Sequence, residues 1–335
     1  MIAHRGASGY RPEHTRSAYL LAIEQGADAV EPDLVSTSDG VLVIRHENEI
    51  SGTTDVASRP EFASRRTVKT IEGVSVTGWF TEDFTWAELS VLRARERLPK
   101  LRKANRAFEG EDGILRLSEL LELLDAADRP VGLVAEIKHA SYFESIGLPL
   151  DELFAAELAR AGWGGAGADG DGSDGVGSRA RLTVESFETG VLGKIRARGI
   201  RAWYVFLLEA SGAPADHPER PYSDYLTPEG LAELAGGGSD VDGISVDKHL
   251  LLRTDDAGRT NGVTDLVERA HAAGLTIFCW TLRAENRFLP ADLRLGLSSA
   301  AFGNWRHEFA LLMGSGIDGV FADQPDLALE VRAGL

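Results

Sequence analysis

Residues 2–26 read IAHRGASGYRPEHTRSAYLLAIEQG, and this stretch sets the pattern that the rest of the chain repeats. A short apolar run, IAHR (2–5), leads through two glycines into a segment, 16–26, whose apolar residues recur with helical spacing. That segment ends in Gly26, a usual stop at the carboxyl end of a helix. The stretch therefore predicts a strand followed by a helix, with His4 and Arg5 at the carboxyl end of the strand.

The same alternation continues over most of the 335 residues. Further apolar runs predict strands at 28–35, 41–46, 131–137, 181–187, 201–208, 242–247, 275–282 and 318–323. Helical periodicity recurs at 117–128, 150–162, 187–199, 264–274 and 307–316. Strands that alternate with helices indicate parallel βαβ units. About eight repeats favour a closed (β/α)8 TIM barrel over an open sheet.

The second and third runs are too close in sequence for a parallel connection, which needs a dozen or more residues. Asp39-Gly40 stands between them and is a strong hairpin signal. We therefore expect an antiparallel hairpin at this point. If Ser38 pairs with Val41, the register places His46 opposite Asp33.

Two segments interrupt the repeat without indicating a second domain, so residues 1–335 are interpreted as one barrel domain. Residues 47–115, an insertion after the third strand, are polar and irregular and are expected to pack over the active end of the barrel. Residues 162–179 are rich in glycine and aspartate and predict a solvated linker, to which the sequence assigns no function.

Composition excludes several classes of protein. The formal net charge of −17 argues against general affinity for nucleic acid or anionic membranes. No apolar run approaches the roughly 20 residues of a membrane span, so stable membrane insertion is not expected. The chain as written carries no signal peptide, which predicts a cytoplasmic protein, or an extracellular one if a leader was removed. Cys279, the single cysteine, excludes an intramolecular disulfide. The oligomeric state is not indicated.

Polar residues gather at the predicted carboxyl ends of the strands, where barrel enzymes place their active sites. Glu31 and Asp33 are two residues apart, so both side chains face the same side of their strand. Two carboxylates on the inner face of an apolar barrel are costly unless they are paired or bind a metal. Glu136 has the same character on another strand. Three oxygen ligands suit calcium or magnesium better than zinc.

Histidines and cations lie at the same end of the predicted barrel. His4 and His46, beside a divalent cation, can divide general base and general acid work near neutral pH. Arg5 can bind a phosphate that the cation also neutralises. Each of these residues alone is explained as readily by a salt bridge or by packing. Their joint occurrence at successive strand ends favours a catalytic site.

The chain resembles the glycerophosphodiester phosphodiesterase family. The resemblance rests on IAHRGASGYRPEHT, EPDL, TSDGVLVIRHE, ISGTTDV, GWFTEDFTWAEL, VAEIKH, ESFE, WTLRAENRFLP and DGVFADQPD, which follow one another over nearly the whole chain. It implies a (β/α)8 barrel and a divalent cation, with Ca²⁺ favoured and Mg²⁺ possible. The implied reaction is hydrolysis of a small glycerophosphodiester to sn-glycerol 3-phosphate and an alcohol.

The resemblance also implies roles for individual residues. These are His4 and His46 as the acid–base pair, Glu31, Asp33 and Glu136 as metal ligands, and Arg5 and Lys138 as phosphate contacts. Trp280, in the last βα segments, is a further candidate for substrate binding as part of the pocket wall, although ordinary packing also explains it. The chain departs from the family pattern at four places, one of which, RLSELLEL (116–123) in place of the more usual Pro-Thr-Leu, should affect helix capping rather than chemistry. His46-Glu47 stands where His-Asp is usual, His14 stands where asparagine is usual, and Glu185 replaces a common glutamine, adding a charge if it points inward.

Several alternatives remain open at this point. A phospholipase D-like relative acting on lysophospholipid or sphingolipid shares the HRG and Glu-x-Asp layout, although Glu136 and Lys138 favour the diesterase. A catalytically silent barrel used as a binding module is disfavoured because every expected polar group is present. Glycerol-phosphate polymers are also possible substrates. The sequence does not say whether His46 is the base and His4 the acid or the reverse.

Overall fold

The computed structural model describes residues 1–165, 181–236 and 241–335. Most of the glycine-rich segment, 166–179, lies outside the described residues. The strands are β1 (Ile2–His4), β2 (Ala29–Glu31), β3 (Asp33–Ser36), β4 (Leu42–Ile44), β5 (Thr67–Ile71), β6 (Val74–Gly78), β7 (Gly132–Ile137), β8 (Leu182–Ser186), β9 (Trp203–Leu208), β10 (Gly243–Asp247), β11 (Leu252–Thr254), β12 (Thr260–Val263), β13 (Thr276–Leu282) and β14 (Gly319–Ala322).

The helices surround these strands and mostly follow them in the chain. They are α1 (Arg16–Glu24), α2 (Trp86–Leu89), α3 (Leu117–Asp125), α4 (Ala140–Ser145), α5 (Leu150–Ala161), α6 (Thr189–Ala197), α7 (Tyr222–Tyr225), α8 (Pro228–Ala235), α9 (Leu266–Ala273), α10 (Trp305–Met313) and α11 (Pro325–Ala333). The helical segments predicted from periodicity are confirmed. Helices α4, α7, α8 and α11 were not predicted.

Eight parallel strands close into a barrel in the order β1, β2, β7, β8, β9, β10, β13, β14. Strand β14 pairs with β1, so the ring has no open edge. The predicted (β/α)8 barrel is therefore confirmed. The predicted strand 28–35 is divided in two at Pro32, and its second half, β3, pairs with β7 and with β4.

The antiparallel hairpin at Asp39-Gly40 is present, but the predicted register is wrong by one residue. Thr37, not Ser38, pairs with Val41, and the Arg45 N–H donates to the Asp33 carbonyl at 2.9 Å. The reason is a loop of three residues rather than two, with Gly40 at φ +75° as its third member. Such a loop, a turn followed by a left-handed residue, is the next most common hairpin connection.

The segment 47–115 is less irregular than its sequence indicated. Strands β5 and β6 form a hairpin with Glu72 and Gly73 at its tip, both at positive φ. Outside this segment, a second small hairpin joins β11 to β12. Glu-Gly is a weaker turn signal than Asn-Gly or Asp-Gly, and both hairpins are short, so the strand pattern alone did not reveal them.

Apolar side chains fill two regions of the barrel. Ile2, Val134 and Phe321 pack together as a small cluster, while the main core contains residues from both the strands and the surrounding helices, such as Leu120, Phe154 and Phe309. Within the described ranges, every helix is too short or too polar to cross a bilayer. The fold thus directs its apolar surface to the strand–helix layer and leaves the strand ends for polar residues.

Candidate active site

The pairing of neighbouring strands brings the polar residues of the strand ends to one level. His4 is in register with Glu31, and Glu136 is in register with both Asp33 and Glu185. The carboxyl ends of these strands open into a cavity of about 700 Å³. Ligand cavities in proteins usually fall between about 300 and 1,000 Å³. One barrel end therefore combines the residues that the sequence separates by more than 180 positions.

The turn after β1 explains the unusual beginning of the sequence. Arg5 and Gly6 both have positive φ, 59° and 79°, so the chain reverses immediately after His4. The reversal aims the Arg5 N–H at Glu31 Oε2, 2.8 Å away. The Arg5 guanidinium lies 3.1 Å from Glu13 and 3.4 Å from Asp33. Thr15 then caps α1 by accepting the Ala18 N–H, which fixes where the turn ends.

His4 is oriented by a carboxylate on its far side. Its Nδ1 lies 2.6 Å from Asp323 Oδ1, just beyond β14. The other oxygen of Asp323 accepts from Arg102 at 2.6 Å and from Arg283 at 2.8 Å. Burial and the charge of Arg5 lower the pKa of His4 to about 4. With Nδ1 engaged, Nε2 is the ring nitrogen left for a substrate, and His4 is neutral at physiological pH.

His46 has the same arrangement with a different partner. Its Nδ1 lies 2.5 Å from Glu47 Oε1, and Arg97 binds both oxygens of Glu47 at 2.8 and 2.6 Å. Arg97 also binds both oxygens of Glu13 at 2.6 Å. Burial, followed by the charges of Arg5 and Lys138, lowers the pKa of His46 to about 3. His46 and His4 are thus both neutral bases with Nδ1 held by an acid.

Three buried glutamates converge on the wall of the same cavity as the two histidines. Glu31, Glu136 and Glu185 each offer a carboxylate oxygen, and these oxygens all lie within 4.8 Å of one another. Burial, with the repulsion of neighbouring carboxylates, raises the pKa of Glu31 and Glu185 well above the usual range. Burial raises the pKa of Glu136 to about 8. Such a group is costly unless a positive charge enters it.

The donor set fits a divalent cation. Buried oxygens of Glu31, Asp33 and Glu185 have no hydrogen-bond partner. Unpaired buried carboxylate oxygens are rare in folded proteins, and oxygen-only ligands are those preferred by Ca²⁺ and Mg²⁺. The residues present therefore match the class of metal that the sequence predicted.

Asp33 has more protein partners than the three glutamates. Its Oδ2 lies 2.7 Å from His14 Nε2 and 3.4 Å from Arg5 Nε, and its Oδ1 lies 3.8 Å from Lys138 Nζ. Despite burial, the charges of Lys138 and Arg5, with the hydrogen bond to His14, hold the pKa of Asp33 well below the usual range. Asp33 is thus an ionised carboxylate at the edge of the glutamate group, with Oδ1 turned toward Lys138.

The other predicted contacts also lie on the cavity wall. Lys138 donates to Glu136 at 2.7 Å and stands 5.4 Å from the centre of the Phe187 ring. Trp280 packs edge-on against Phe187 with ring centroids 5.9 Å apart, and its indole nitrogen has no partner. An unpartnered indole N–H beside an aromatic wall is suited to contact a bound ligand.

Four contributing residues were missed by the sequence reasoning. Asp323 lies in a quoted motif, DGVFADQPD, and directly ends a predicted strand, so its position was a usable signal. Glu13 is in the PEHT motif. Arg97 and Arg102 come from the segment 47–115, where no periodic pattern marks a side chain that points to the barrel.

The chain matches a known protein family over most of its length. Residues 4–327 match the model of the glycerophosphoryl diester phosphodiesterase family. A glycerophosphodiester phosphodiesterase of Arabidopsis thaliana is 30% identical over 327 residues, which cover 96% of this chain and 82% of the relative.

Solved structures share the fold at lower identity. A protein from Silicibacter pomeroyi superposes with a TM-score of 0.66 at 21% identity, over 100% of this chain and 93% of the other. A phosphodiesterase from Oleispira antarctica, in complex with the product sn-glycerol-3-phosphate, gives 0.62 at 20% identity, over 99% and 96%. The sequence match extends over almost every strand and helix that builds the cavity, and the chain belongs to the glycerophosphoryl diester phosphodiesterase family.

Proposed function

We propose that this glycerophosphodiester phosphodiesterase hydrolyses small glycerophosphodiesters to sn-glycerol 3-phosphate and an alcohol, with one divalent cation and two histidines. The observation that carries the proposal is the pair of carboxylate-bound histidines on a cavity that also holds buried, unpartnered carboxylate oxygens. Proton transfer and neutralisation of phosphate charge are the two requirements of phosphodiester hydrolysis, and each has its group here.

The cation would be held by Glu31, Asp33 and Glu136, with Ca²⁺ favoured and Mg²⁺ possible. When bound, it would neutralise the negative charge that develops on the phosphoryl oxygens. Arg5 and Lys138 are the protein's own cations at this position and would contact the phosphate. Trp280 would form part of the wall beside the substrate. Arg5 also holds Glu31 through its N–H, so it would link the phosphate contact to the metal ligand.

The two histidines would carry the proton transfers. His46 Nε2 takes a proton from the attacking oxygen, either the glycerol 2-hydroxyl or water, as that oxygen bonds to phosphorus, and His4 protonates the alcohol oxygen as its bond to phosphorus breaks. Attack by water gives sn-glycerol 3-phosphate directly, whereas attack by the 2-hydroxyl gives a cyclic phosphate that water then opens. Burial and the positive charge of Arg5 lower the pKa of His4. A phosphodiester anion bound at Arg5 would offset the Arg5 charge and so raise the pKa of His4. Substrate binding would thereby help His4 to acquire the proton that it donates. Asp323 and Glu47 stabilise the imidazolium forms.

The first test is hydrolysis of glycerophosphocholine and glycerophosphoethanolamine by metal-stripped protein, with Ca²⁺ or Mg²⁺ added and sn-glycerol 3-phosphate measured. We expect metal-dependent release, reduced about 10²- to 10⁴-fold by His46→Ala or by His4→Ala. His217→Ala is the control, because His217 is exposed and contacts Glu219 at the surface. Equal activity of the three variants would contradict the assignment.

The division of roles has a separate test. A glycerophosphodiester with a p-nitrophenol leaving group does not need a general acid, so loss of the acid should be tolerated with it. We expect His4→Ala to regain most of its activity on this substrate and His46→Ala not to. The opposite result would exchange the two roles.

Inactivity on both small diesters would favour the alternatives over the proposal. Release of an alcohol from lysophospholipid would indicate the phospholipase D-like function, and release of glycerol 3-phosphate from a glycerol-phosphate polymer would indicate a polymer substrate. Binding of glycerophosphodiesters without turnover of any of these substrates would indicate a binding module.

A further inference from the structure

Glu185 ends β8 at the level of the proposed metal ligands. It is in register with Glu136 on the neighbouring strand and is only 2% exposed. Its Oε2 is buried without a hydrogen-bond partner. A buried carboxylate normally accepts several hydrogen bonds or faces a cation. Glu185 thus has the surroundings of a ligand without its bonding partner.

The geometry places Glu185 inside the glutamate group rather than beside it. One oxygen of Glu185 and one each of Glu31 and Glu136 lie within 4.8 Å of one another, which allows a single ion to contact all three. Asp33, by comparison, already contacts His14 and Arg5 through Oδ2. Glu185 is therefore a direct neighbour of two of the three proposed metal ligands, Glu31 and Glu136.

A purely structural role for Glu185 is poorly supported. Other buried carboxylates of the chain have a protein donor on at least one oxygen. Glu308 accepts from Lys248 at 2.9 Å through both oxygens, and Glu188 accepts from the Ser141 N–H at 2.9 Å through Oε2, although its Oε1 is unpartnered. Lys138, a cation of the cavity wall whose charge acts on Glu185, donates its hydrogen bond to Glu136 instead. No such protein contact accounts for the buried Oε2 of Glu185 among the described residues.

We infer that Glu185 is a fourth carboxylate ligand of the cation site and that it biases the site toward Ca²⁺ over Mg²⁺; this rests on the proposed function. Ca²⁺ takes six to eight oxygen ligands, several of them carboxylates. Mg²⁺ retains water and uses one or two carboxylates. A fourth carboxylate adds a ligand that Ca²⁺ uses and Mg²⁺ does not need.

The test is calorimetric titration of the metal-stripped full chain with CaCl₂ and with MgCl₂. Glu185→Gln keeps the shape of the side chain and removes its charge. We expect it to weaken Ca²⁺ binding at least tenfold, and to weaken Mg²⁺ binding by a factor several times smaller than that. Glu209→Gln is the matched control: Glu209 is an exposed acid of the same cavity wall, and its change should leave both affinities within about threefold. Unchanged Ca²⁺ affinity in Glu185→Gln would overturn the inference.

Thermal unfolding provides a readout independent of turnover. Without metal, Glu185→Gln should melt at or above the temperature of the wild type, because it removes one carboxylate from a repulsive group. With Ca²⁺, its rise in Tm should be smaller than that of the wild type. Equal Ca²⁺-dependent rises would refute the ligand role. If Glu185→Gln does not fold, Glu185→Asp, which shortens the side chain and keeps the charge, should show the same selective loss of Ca²⁺ affinity.

Glu31→Gln distinguishes failure of this inference from failure of the proposed function. If Glu31→Gln abolishes Ca²⁺ binding while Glu185→Gln does not, only the fourth ligand is disproved. If the wild type itself binds neither Ca²⁺ nor Mg²⁺, the proposed metal-dependent function is disproved, and the inference about Glu185 is disproved with it.

Discussion

At the scale of single residues, Arg5 and Gly6 illustrate how backbone conformation places chemistry. Both have positive φ, which is costly for arginine and free for glycine. The strained conformation of Arg5 delivers its N–H to Glu31 and its guanidinium toward Asp33. Sequence alone indicated that His4-Arg5 belonged to a site, since the glycines mark a tight path. It could not indicate which carboxylate each donor would meet.

Gly6→Ala is expected to destabilise the protein by about 2 kcal/mol or more, through positive φ and through steric overlap. A Cβ at Gly6 would lie 2.7 Å from the Ala18 carbonyl carbon. Gly147→Ala is a matched control, because Gly147 has the same φ of +79° and no atom within 4 Å of such a Cβ. Urea unfolding should show the larger loss for Gly6→Ala, and phosphodiesterase activity should fall only in that variant. Equal losses of unfolding free energy in the two variants would mean that the positive φ, and not the overlap with Ala18, determines the cost.

At the scale of elements, the hairpin and the segment 47–115 show where pattern reasoning stops. Asp39-Gly40 identified the hairpin, but a loop of three residues instead of two moved the pairing so that Arg45, not His46, opposes Asp33. His46 nevertheless reaches the cavity, because it follows the end of β4 and is no longer bound by the strand register. Arg97 could not be predicted at all, since its role depends on a tertiary contact with Glu13 and Glu47.

Arg97→Lys tests whether the segment 47–115 supports catalysis through this contact. Lysine retains the charge but cannot bind two carboxylates with paired hydrogen bonds. We expect kcat for glycerophosphocholine to fall about tenfold with a smaller change in KM, because Glu47 would hold His46 less firmly. Arg95→Lys is the control, since Arg95 is exposed and contacts Ser58. A wild-type kcat in Arg97→Lys would show that the His46–Glu47 contact does not need Arg97.

At the scale of the whole molecule, the closed barrel could be predicted from the sequence, but the burial of ionisable side chains at its active end could not. Alternation of strands and helices is a local property, and βαβ units have one favoured handedness, so eight of them lead to closure. The site instead depends on side chains from both ends of the chain: His4 and Asp323 are 319 residues apart in sequence, yet His4 Nδ1 lies 2.6 Å from Asp323 Oδ1. Their burial changes the proton affinity of both, and this affects the stability of the entire fold.

The pH dependence of stability follows from these buried groups. The folded pKa of His4 is about 4, below the usual 6.5, so the unfolded chain takes up its proton first as pH falls. His4 therefore contributes stability above pH 6.5 that is lost between pH 6.5 and 4. Glu136, with a raised folded pKa of about 8, acts in the opposite direction, because its stability is lost as pH rises from 4.5 to 8. The change of unfolding free energy with pH contains both effects. The prediction therefore concerns the difference in this pH dependence between the wild type and a variant that lacks His4.

His4→Gln should remove the His4 contribution and leave that of Glu136. We expect the free energy of unfolding of the metal-free protein, measured in urea, to fall less steeply from pH 6.5 to 4 in His4→Gln than in the wild type. The difference should correspond to about one proton. His217→Gln, at an exposed position, should keep the wild-type slope. Parallel curves for wild type and His4→Gln would mean that His4 has the same proton affinity in the folded and unfolded states, and the lowered pKa attributed to its burial beside Arg5 would have to be abandoned.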